Sequence, residues 1–435
     1  MTGALLVALL LTSAPQASAT AAPERARVFG HFRHVHWLAP EDDSFRFASA
    51  ALVAPATMAE HLITTKAARS VVEVRRFAMQ RRPGAPESTL EQAIEVPFRL
   101  FTAMTWTERP SWRVLELRGG TLLVCVDVAA QRLHLLDARN GEDIVAPRAA
   151  TLLLDTRLTE RGAELLIATP SQGLERVSIE PLDPASGTPT VDSVALATGL
   201  DVIGAASFVH AKGADAAPEG HWPGGCWVIG WRAGALALAG SNTDELLGPF
   251  PLTLEVTPKV AEELRFDVAA AGGRTWFAVG QPDYNHSVGR AVIASFEPSS
   301  NAAPSVTFDG RLEPDVWGDT LDQRCWGQSV QFVPDVDADG APDLAVGAPW
   351  GLGDECIDLV SAARGTRLKR FNTTNFTTVG HSLDVSPDGR WVLSGGTTQR
   401  AYPENLTYEG VVHVLDARTL KGQRTSCIAT RVESR

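Results

Sequence analysis

The chain has 435 residues, which is enough for several small domains or for one large array of repeats. Hydrophobic residues make up 44% of it and charged residues 21%, which is typical of a globular protein and not of a disordered one. The formal net charge of −12 argues against a nucleic-acid-binding surface, because phosphate recognition needs clustered lysine and arginine.

Residues 1–19 are predicted to be a secretory signal peptide. A short apolar core runs from Leu5 to Leu11, and Ala17-Ser18-Ala19 has the A-x-A form of a cleavage site, although no lysine or arginine precedes the core. A membrane anchor is the alternative, but the apolar run is too short to cross a bilayer. We therefore expect a secreted, periplasmic or cell-surface protein without a transmembrane segment, with association with the cell envelope left open.

Three histidines follow in "GHFRHVHW", at His31, His34 and His36. On a strand His34 and His36 would share a face, which would suit a metal ion. No carboxylate is near them in the sequence, so a surface strand is favoured over a metal site.

Helix signals are scarce, and the best candidate is "STLEQAIE", from Ser88 to Glu95, which opens like a capping box. Nearly all other segments are short apolar or alternating runs between Gly, Pro, Asp and Asn turns, such as "TLLVCVDV" from Thr121. This spacing predicts an all-β array.

A weak internal repeat supports that prediction. "LHLLDARNG" from Leu133, "IDLVSAARG" from Ile357 and "VHVLDARTLKG" from Val412 lie about 56 residues, or a multiple of that, apart. About four strands per unit at this period predict β-propeller blades, and seven units nearly fill residues 20–435 as a single domain. Seven blades are favoured over six or eight, and a β-sandwich with an unrelated second domain is the alternative fold.

An acidic stretch lies between Trp326 and Gly351. It places Asp335, Asp337 and Asp339 at positions 1, 3 and 5 of a loop, followed by Gly340 and by Asp343 at position 9. Alternate oxygen ligands in a tight loop suit a hard cation such as Ca²⁺. An EF-hand would need a glutamate at position 12, where this chain has an apolar valine within a strand-like run, so the loop is predicted to join two strands. A metal-free aspartate turn is the alternative.

The stretch resembles the FG-GAP repeat of integrin α-subunit propellers and of many bacterial exported proteins. The matching pieces are Trp326-Gly327, the D-x-D-x-D-G-x-x-D-L loop and Gly347-Ala348-Pro349, within a blade over residues 326–371. The resemblance implies Ca²⁺ as cofactor, side-chain ligands from the four aspartates and a main-chain ligand from Ala341.

Other blades depart from this pattern. A degenerate blade is predicted over residues 379–430, where the loop would use Asp384, Ser386 and Asp388 but has Val392 at position 9, so we expect no calcium there. The preceding blade keeps Asp267 but lacks the next two carboxylates.

The cysteines number five, and export would permit disulfides. Cys325 and Cys356 flank the acidic stretch and are either a disulfide pair or buried free thiols.

Loops between the second and third strands of the last blades contain aromatic and histidine residues, which are typical binding anchors on exposed loops. Each ring could instead simply cover its own blade. By resemblance to integrin-type propellers, this face is the one that meets partners. The candidate ligand-facing residues are Tyr284, His286, Trp350, Tyr402 and Tyr408.

Three functions remain open at this point. The first is a calcium-binding adhesion or binding module for a protein or carbohydrate, which is favoured because no G-x-S-x-G, Walker or HExxH motif is present. The second is a propeller enzyme, a hydrolase or a quinoprotein-like dehydrogenase, with its site in the central channel. The third is a scaffold within an envelope complex.

Overall fold

The computed structural model contains seven β-sheets, and their strands follow one another along the chain blade by blade. The structure describes residues 26–29, 35–38, 44–55, 69–78, 89–98, 100, 111–117, 120–180, 189–211, 225–241, 245–252, 264–282, 289–297, 302–309, 325–349, 355–373, 379–386, 388–402 and 405–427. The predicted signal peptide lies outside these residues.

The first four blades are built from the strands within residues 26–251, except that the short strand β15 His210–Ala211 belongs to the sheet of the fifth blade. Blade 1 contains β1 Ala26–Phe29, β2 Val35–Trp37, β3 Ser44–Pro55, β4 Arg69–Ala78 and β5 Thr89–Val96. Blade 2 contains β6 Trp112–Leu117, β7 Gly120–Asp127, β8 Arg132–Asp137 and β9 Arg148–Ala149. Blade 3 contains β10 Leu152–Thr159, β11 Gly162–Ala168, β12 Leu174–Ile179 and β13 Val191–Leu196. Blade 4 contains β14 Val202–Phe208, β16 Cys226–Arg232, β17 Ala235–Ser241 and β18 Leu246–Pro251.

The remaining strands form three blades. Blade 5 contains β19 Arg265–Ala271, β20 Arg274–Gln281, β21 Arg290–Phe296 and β22 Ser305–Asp309, and β15 His210–Ala211 pairs with β19 in parallel. Blade 6 contains β23 Ser329–Val333, β24 Asp343–Ala348, β25 Cys356–Ser361 and β26 Thr366–Asn372. Blade 7 contains β27 Ser382–Val385, β28 Trp391–Tyr402, β29 Asn405–Asp416 and β30 Gly422–Cys427.

The sheets form a ring, so the all-β, seven-bladed propeller prediction is confirmed. The buried apolar residues fall into clusters shared by adjacent blades, as expected when each sheet buries its faces against its neighbours. The cluster of Phe47 with Leu393, Val412 and Val414 joins blade 1 to blade 7 and closes the ring. No helix in the described part of the chain is long and apolar enough to cross a membrane.

Strand direction defines two faces. The turns between first and second strands and between third and fourth strands lie on one face, which we call the turn face. The loops between second and third strands, together with the links between blades, lie on the other, the linker face. The inner strands run from the linker face to the turn face.

Aspartates on the inner strands bind neighbouring blades together. The carboxylates of Asp155 and Asp267 accept hydrogen bonds from the main-chain N–H groups of Phe208 (2.8 Å) and Phe332 (2.7 Å) in the following blade. Asp384 of blade 7 does the same with Trp37 N of blade 1, at 2.9 Å. Asp267 and Asp384 are therefore not loop residues, and the prediction that Asp384 opens the blade 7 loop is wrong.

The predicted helix from Ser88 to Glu95 is also wrong. Strand β5 occupies this segment and pairs with β4, and its burial alternates so that Ile94 and Val96 are buried while Ala93 and Glu95 are exposed. The capping-box pattern favours a helix only through neighbouring residues in the sequence. Pairing of this segment with strand β4 stabilises a strand more strongly.

Two further expectations are corrected. His36 is not on a surface strand, because its residue is only 3% exposed and it faces the middle of the ring. Cys325 and Cys356 are both buried and do not form a disulfide. His31 and His34 lie outside the described residues.

Candidate metal centre

The acidic loop joins β23 to β24, as the sequence predicts. Pro334 follows the last residue of β23, and the chain turns through two left-handed residues, Ala338 (φ 60°) and Gly340 (φ 88°). Glycine adopts this conformation without a steric penalty, whereas alanine does so at a cost, so the loop must compensate elsewhere.

Three of the four aspartates converge. Asp335, Asp337 and Asp343 each place one carboxylate oxygen within 4.8 Å of the other two. Asp339 points to a different partner, because its Oδ2 accepts a hydrogen bond of 2.8 Å from Ser361 Oγ. Its Oδ1 accepts from Ala341 N at 3.0 Å.

Main-chain donors hold the loop in shape. Asp335 Oδ2 accepts from Gly340 N at 2.8 Å, and Asp343 Oδ2 accepts from Val336 N at 2.7 Å. These bonds fix the direction of the carboxylates without supplying a positive charge. The aspartates therefore still repel one another, and a cation between them would remove that cost.

Asp343 has the most unfavourable environment of the group. It is fully buried, and its Oδ1 has no hydrogen-bond partner within the part of the chain that the structure describes. Burial raises the pKa of Asp343 to about 7, and the charges of Asp337, Asp335 and Asp339 contribute in the same direction. A buried oxygen without a partner is costly, and a bound metal ion would satisfy it.

Arg364 contacts the loop from the turn between β25 and β26. Its Nη2 donates to Asp337 Oδ2, and its Nε lies 3.5 Å from Asp339 Oδ2. Burial acts to raise the pKa of Asp337, but the hydrogen bond and the charge of Arg364, together with hydrogen bonds from Ser361 and from the main chain of Asp339, outweigh it and lower that pKa. The guanidinium thus offsets part of the negative charge that a metal ion would otherwise neutralise. The contact of Arg364 with the loop has no signal in the sequence, because two strands separate the residue from the loop along the chain.

Turns of the neighbouring blades pack against the loop. A β-carbon added at Gly272 of blade 5 would lie 2.6 Å from the carbonyl oxygen of Gly340. One added at Gly389 of blade 7 would lie 2.4 Å from Pro334 Cγ. Because such distances are too short for real contacts, both glycines are needed for the three turns to fit together.

The donor set fits a calcium ion. The carboxylates of Asp335, Asp337 and Asp343 are hard oxygen ligands, and Ca²⁺ accepts a flexible number of them together with main-chain oxygens and water. Asp339 and the carbonyl of Ala341 stay predicted ligands. When bound, the ion would supply charge neutralisation and cross-link the two ends of the loop.

Two of the five predicted ligand-facing residues lie in the described part of the chain, and the role of all five stays a prediction. Tyr402 ends β28 and Tyr408 lies within β29, so the predicted loop is a hairpin with Gln399 opposite Tyr408 and Tyr402 opposite Asn405. The two strands of this hairpin have 12 residues each, whereas the corresponding strands of blade 6, β24 and β25, have six residues each. Tyr284, His286 and Trp350 lie outside the described residues.

The fold and the loop together define a seven-bladed β-propeller with an acidic turn in its sixth blade. The family model of the FG-GAP repeat matches residues 326–355, so this blade contains an FG-GAP repeat, as the resemblance predicts. No curated protein matches the sequence.

Several solved structures are similar to this chain at low sequence identity. A chain from the Chaetomium thermophilum Polycomb Repressive Complex 2 bound to GSK126 is 10% identical, covers 86% of this chain and 96% of its own length, and has a TM-score of 0.47. A chain from a Mitotic Checkpoint Complex structure is 15% identical, with 74% and 83% coverage and a TM-score of 0.36. Kluyvelomyces marxianus Hsv2 is 10% identical, with 78% and 92% coverage and a TM-score of 0.33. Similarities this low say nothing about what the present chain binds.

Proposed function

We propose that this chain is a secreted or surface-exposed, calcium-stabilised propeller that binds a protein or carbohydrate partner through its linker face. The observation that carries the calcium part is the buried Asp343 Oδ1, which lacks a hydrogen-bond partner among the described residues and belongs to a cluster of three carboxylates. Calcium here holds the fold and takes no part in chemistry.

The linker face is proposed as the binding face for two reasons. The acidic loop and its neighbouring turns are packed together on the turn face, where a β-carbon at Gly272 or Gly389 would already clash. The β28–β29 hairpin instead extends from the linker face and carries two of the three tyrosines of the chain. Tyrosines on the loops and hairpin ends of a scaffold are typical anchors for a partner.

Calcium binding is tested by thermal unfolding of the purified chain in excess Ca²⁺ and in chelator. A ligand present at about 100 times its dissociation constant stabilises the folded state by about 2.7 kcal/mol, so we expect a clearly higher melting temperature in Ca²⁺. Equal melting temperatures in the two buffers would contradict a calcium site.

Partner binding is tested by shortening the hairpin. Residues 398–409 are replaced by Asn-Gly, which favours a tight turn between Thr397 and Gly410, the residues that already pair there. The wild-type and shortened chains are compared on arrays of glycans and of cell-surface proteins. We expect at least one ligand of the wild-type chain to be lost on shortening.

The matched control changes the other face. Gly273→Asn alters the exposed turn of blade 5, where φ is 73° and nothing lies within 4 Å of an added β-carbon. Asparagine tolerates this conformation. The control should keep every ligand of the wild-type chain, and loss of the same ligand in both variants would argue against the linker face.

A further inference from the structure

Two neighbouring blades have hairpins that extend past their inner strands at the linker face. In blades 2 to 6, the second strand ends within two residues of its last pair with the inner strand. In blade 7, the last such pair joins Ser382 to Gly395, but β28 continues to Tyr402. In blade 1, β3 continues past its last pair with β2, at Ser49, to Pro55. Each extension therefore has an edge that β27 or β2 does not reach.

Blade 1 covers this edge with another strand of the same chain. Strand β1 pairs antiparallel with the end of β3, from Ala26 opposite Pro55 to Phe29 opposite Leu52. A strand is added at an inner edge a second time in blade 5, where β15 pairs in parallel with β19. The fold thus accepts added strands at the inner edges of its blades.

The corresponding edge of blade 7 has no such cover within the described part of the chain. Residues 397–402 of β28 pair with β29 alone, because β27 is four residues long and begins at Ser382. The link before β27 turns away from the hairpin. Gly380 in this link has a φ of 84°, and its carbonyl oxygen accepts a hydrogen bond of 2.7 Å from Ser329 Oγ in blade 6. The link is therefore directed toward blade 6 and does not continue along β28.

The pairing of β28 shows which main-chain groups face the open edge. Trp391 O accepts a hydrogen bond of 2.9 Å from Ser386 N, on the side of β27. Main-chain groups alternate sides along a strand, and the register between β28 and β29 has no shift, so every second residue after Trp391 faces the same side. The N–H and C=O groups of Thr397, Gln399 and Ala401 are therefore directed at the open edge.

Such a row of main-chain donors and acceptors is what an added β-strand pairs with. A carbohydrate cannot continue the ladder, because it has no alternating main-chain N–H and C=O groups. An extended polypeptide can, and β1 does so on β3 in the next blade. The edge of blade 7 therefore favours a polypeptide.

Charge decides between a second copy of the chain and a different protein. The formal net charge is −12, so pairing of two copies would bring together two strongly negative molecules. Residues 396–410, which form the extension, contain one arginine and two glutamates and do not reverse this sign. A basic segment of another protein would be attracted where a second copy is repelled.

We propose that the inner edge of β28 binds an extended, basic polypeptide segment as an added β-strand. The segment takes in blade 7 the place that β1 takes in blade 1, and it pairs with the main chain of Thr397, Gln399 and Ala401. This inference rests on the proposed function, in which the linker face binds a partner, and it selects a polypeptide from the two classes of partner given there.

The probe is a labelled seven-residue peptide of alternating threonine and valine with a lysine at each end, titrated into the full chain by fluorescence anisotropy. We expect one peptide per chain, with a dissociation constant of about 1 mM or tighter. The same peptide with all its amides N-methylated should bind at least about 10-fold more weakly, because it cannot donate to the edge. A version with glutamate at each end should bind about 3- to 10-fold more weakly at low salt, and this difference should shrink as salt is added.

Hydrogen–deuterium exchange with residue resolution locates the peptide. In the chain alone, the amides of Thr397, Gln399 and Ala401 should exchange fast, whereas those of Thr398 and Arg400, which face β29, should exchange more slowly. Lysine-ended peptide at about ten times its dissociation constant should slow the first three by up to about 10-fold and leave the other two nearly unchanged.

A variant pair tests the main-chain contact. Gln399→Pro removes an N–H from the open edge without removing a hydrogen bond to β29, and should weaken peptide binding at least about 10-fold. Gln399→Ala keeps the N–H and should bind within about 2-fold of wild type. Melting curves establish that both variants are folded, and the N-methylated peptide still tests the contact if the proline variant does not fold.

Several results would overturn the proposal. Absence of saturable binding, or equal binding of the N-methylated peptide, would exclude an added strand. Slow exchange of Thr397, Gln399 and Ala401 in the chain alone would show that the edge is already covered. Protection of residues 405–409 instead would place the peptide on the outer edge of the hairpin. Self-association of the chain that protects the same three amides would make a second copy the occupant.

Failure of the added strand and failure of the proposed function give different results. If shortening of the hairpin removes a ligand on the arrays but the peptide does not bind, the linker face remains the partner face and the added strand alone is wrong. If the peptide binds as expected but shortening removes no array ligand, the partner face proposed above is wrong.

Discussion

The equivalent turns of blades 6 and 7 use two different ways to close the same hairpin. In blade 7 a neutral hydroxyl group holds the turn closed. Ser386 Oγ accepts a hydrogen bond from Trp391 N at 2.9 Å and donates one to Asp388 Oδ1. In blade 6 the corresponding loop spans Pro334 to Asp343 and contains four aspartates. The blade 7 turn is complete with its own side chains, whereas the blade 6 loop leaves a buried carboxylate oxygen unsatisfied within the described structure.

Under the proposed function, these two turns would show how one repeat can lack a metal that another binds while both keep their place in the ring. The two turns touch, because Gly389 of blade 7 packs on Pro334 of blade 6. If calcium binds as proposed, the blade 7 turn, which closes with serine, should show no calcium dependence. The blade 6 loop, which closes with aspartates, should respond to the calcium concentration.

The largest effect is expected from Asp343→Asn, which makes the blade 6 loop more like its neutral counterpart. Loss of the buried charged ligand should weaken calcium binding about 100-fold or more and abolish the calcium-dependent rise in melting temperature. Stability in chelator should not fall by more than about 1 kcal/mol, because the variant no longer has to bury an acid among like charges.

Calorimetric titration with Ca²⁺ and melting curves in chelator measure both effects. The control is Asp388→Asn in the blade 7 turn, which should leave the calcium response intact. A calcium response that survives in Asp343→Asn, or that disappears in the control, would contradict the assignment.

A smaller effect is expected where the two turns touch. Gly389→Ala should destabilise the chain by about 2–3 kcal/mol, because φ is 71° and the new β-carbon would meet Pro334 at 2.4 Å. Gly234→Ala is the matched control: its φ is 77°, but nothing lies within 4 Å of an added β-carbon. Only the backbone cost of about 1 kcal/mol should remain there. Denaturant unfolding measures the free energy of unfolding of both variants. Equal losses of stability would mean that the contact between Gly389 and Pro334 does not contribute.

The smallest effect concerns Arg364. Arg364→Gln should raise the affinity for Ca²⁺ by about 3- to 10-fold at low salt, because it removes a positive charge that competes for Asp337 and Asp339. Since Arg364 is exposed, the gain should shrink as salt is added. Calcium titrations at two ionic strengths measure it, with Arg139→Gln in blade 2 as the control, and a lower affinity in Arg364→Gln would show that the arginine supports the site.

Much of this architecture could be predicted from the sequence because it is encoded locally. The spacing of Asp335 to Asp343 and the Gly-Ala-Pro ending identify one repeat, and the period of about 56 residues extends it to a ring. The bonds from Asp155, Asp267 and Asp384 to the next blade were missed, because they depend on which strands become neighbours. Their signal in the sequence is an aspartate at the same place in three inner strands, within "LLLD", "LRFD" and "HSLD".

Two segments differ from their predicted structure because their local sequence pattern is compatible with two kinds of secondary structure. "STLEQAIE" has the form of a capping box, but its residues also alternate as an edge strand that buries Ile94. The tyrosines of blade 7 lie among turn-forming residues, yet cross-strand pairing continues from Trp391 opposite Asp416 to Tyr402 opposite Asn405. Only the partner strand distinguishes these alternatives.

Hydrogen–deuterium exchange in Ca²⁺ and in chelator tests the central claim most directly, because it reports on the two turns separately in one molecule. Calcium should slow exchange in the blade 6 loop, where the amides of Asp339, Gly340 and Ala341 donate to its aspartates, and leave the blade 7 turn after Ser386 nearly unchanged. Identical exchange of the blade 6 loop in the two buffers would contradict the account.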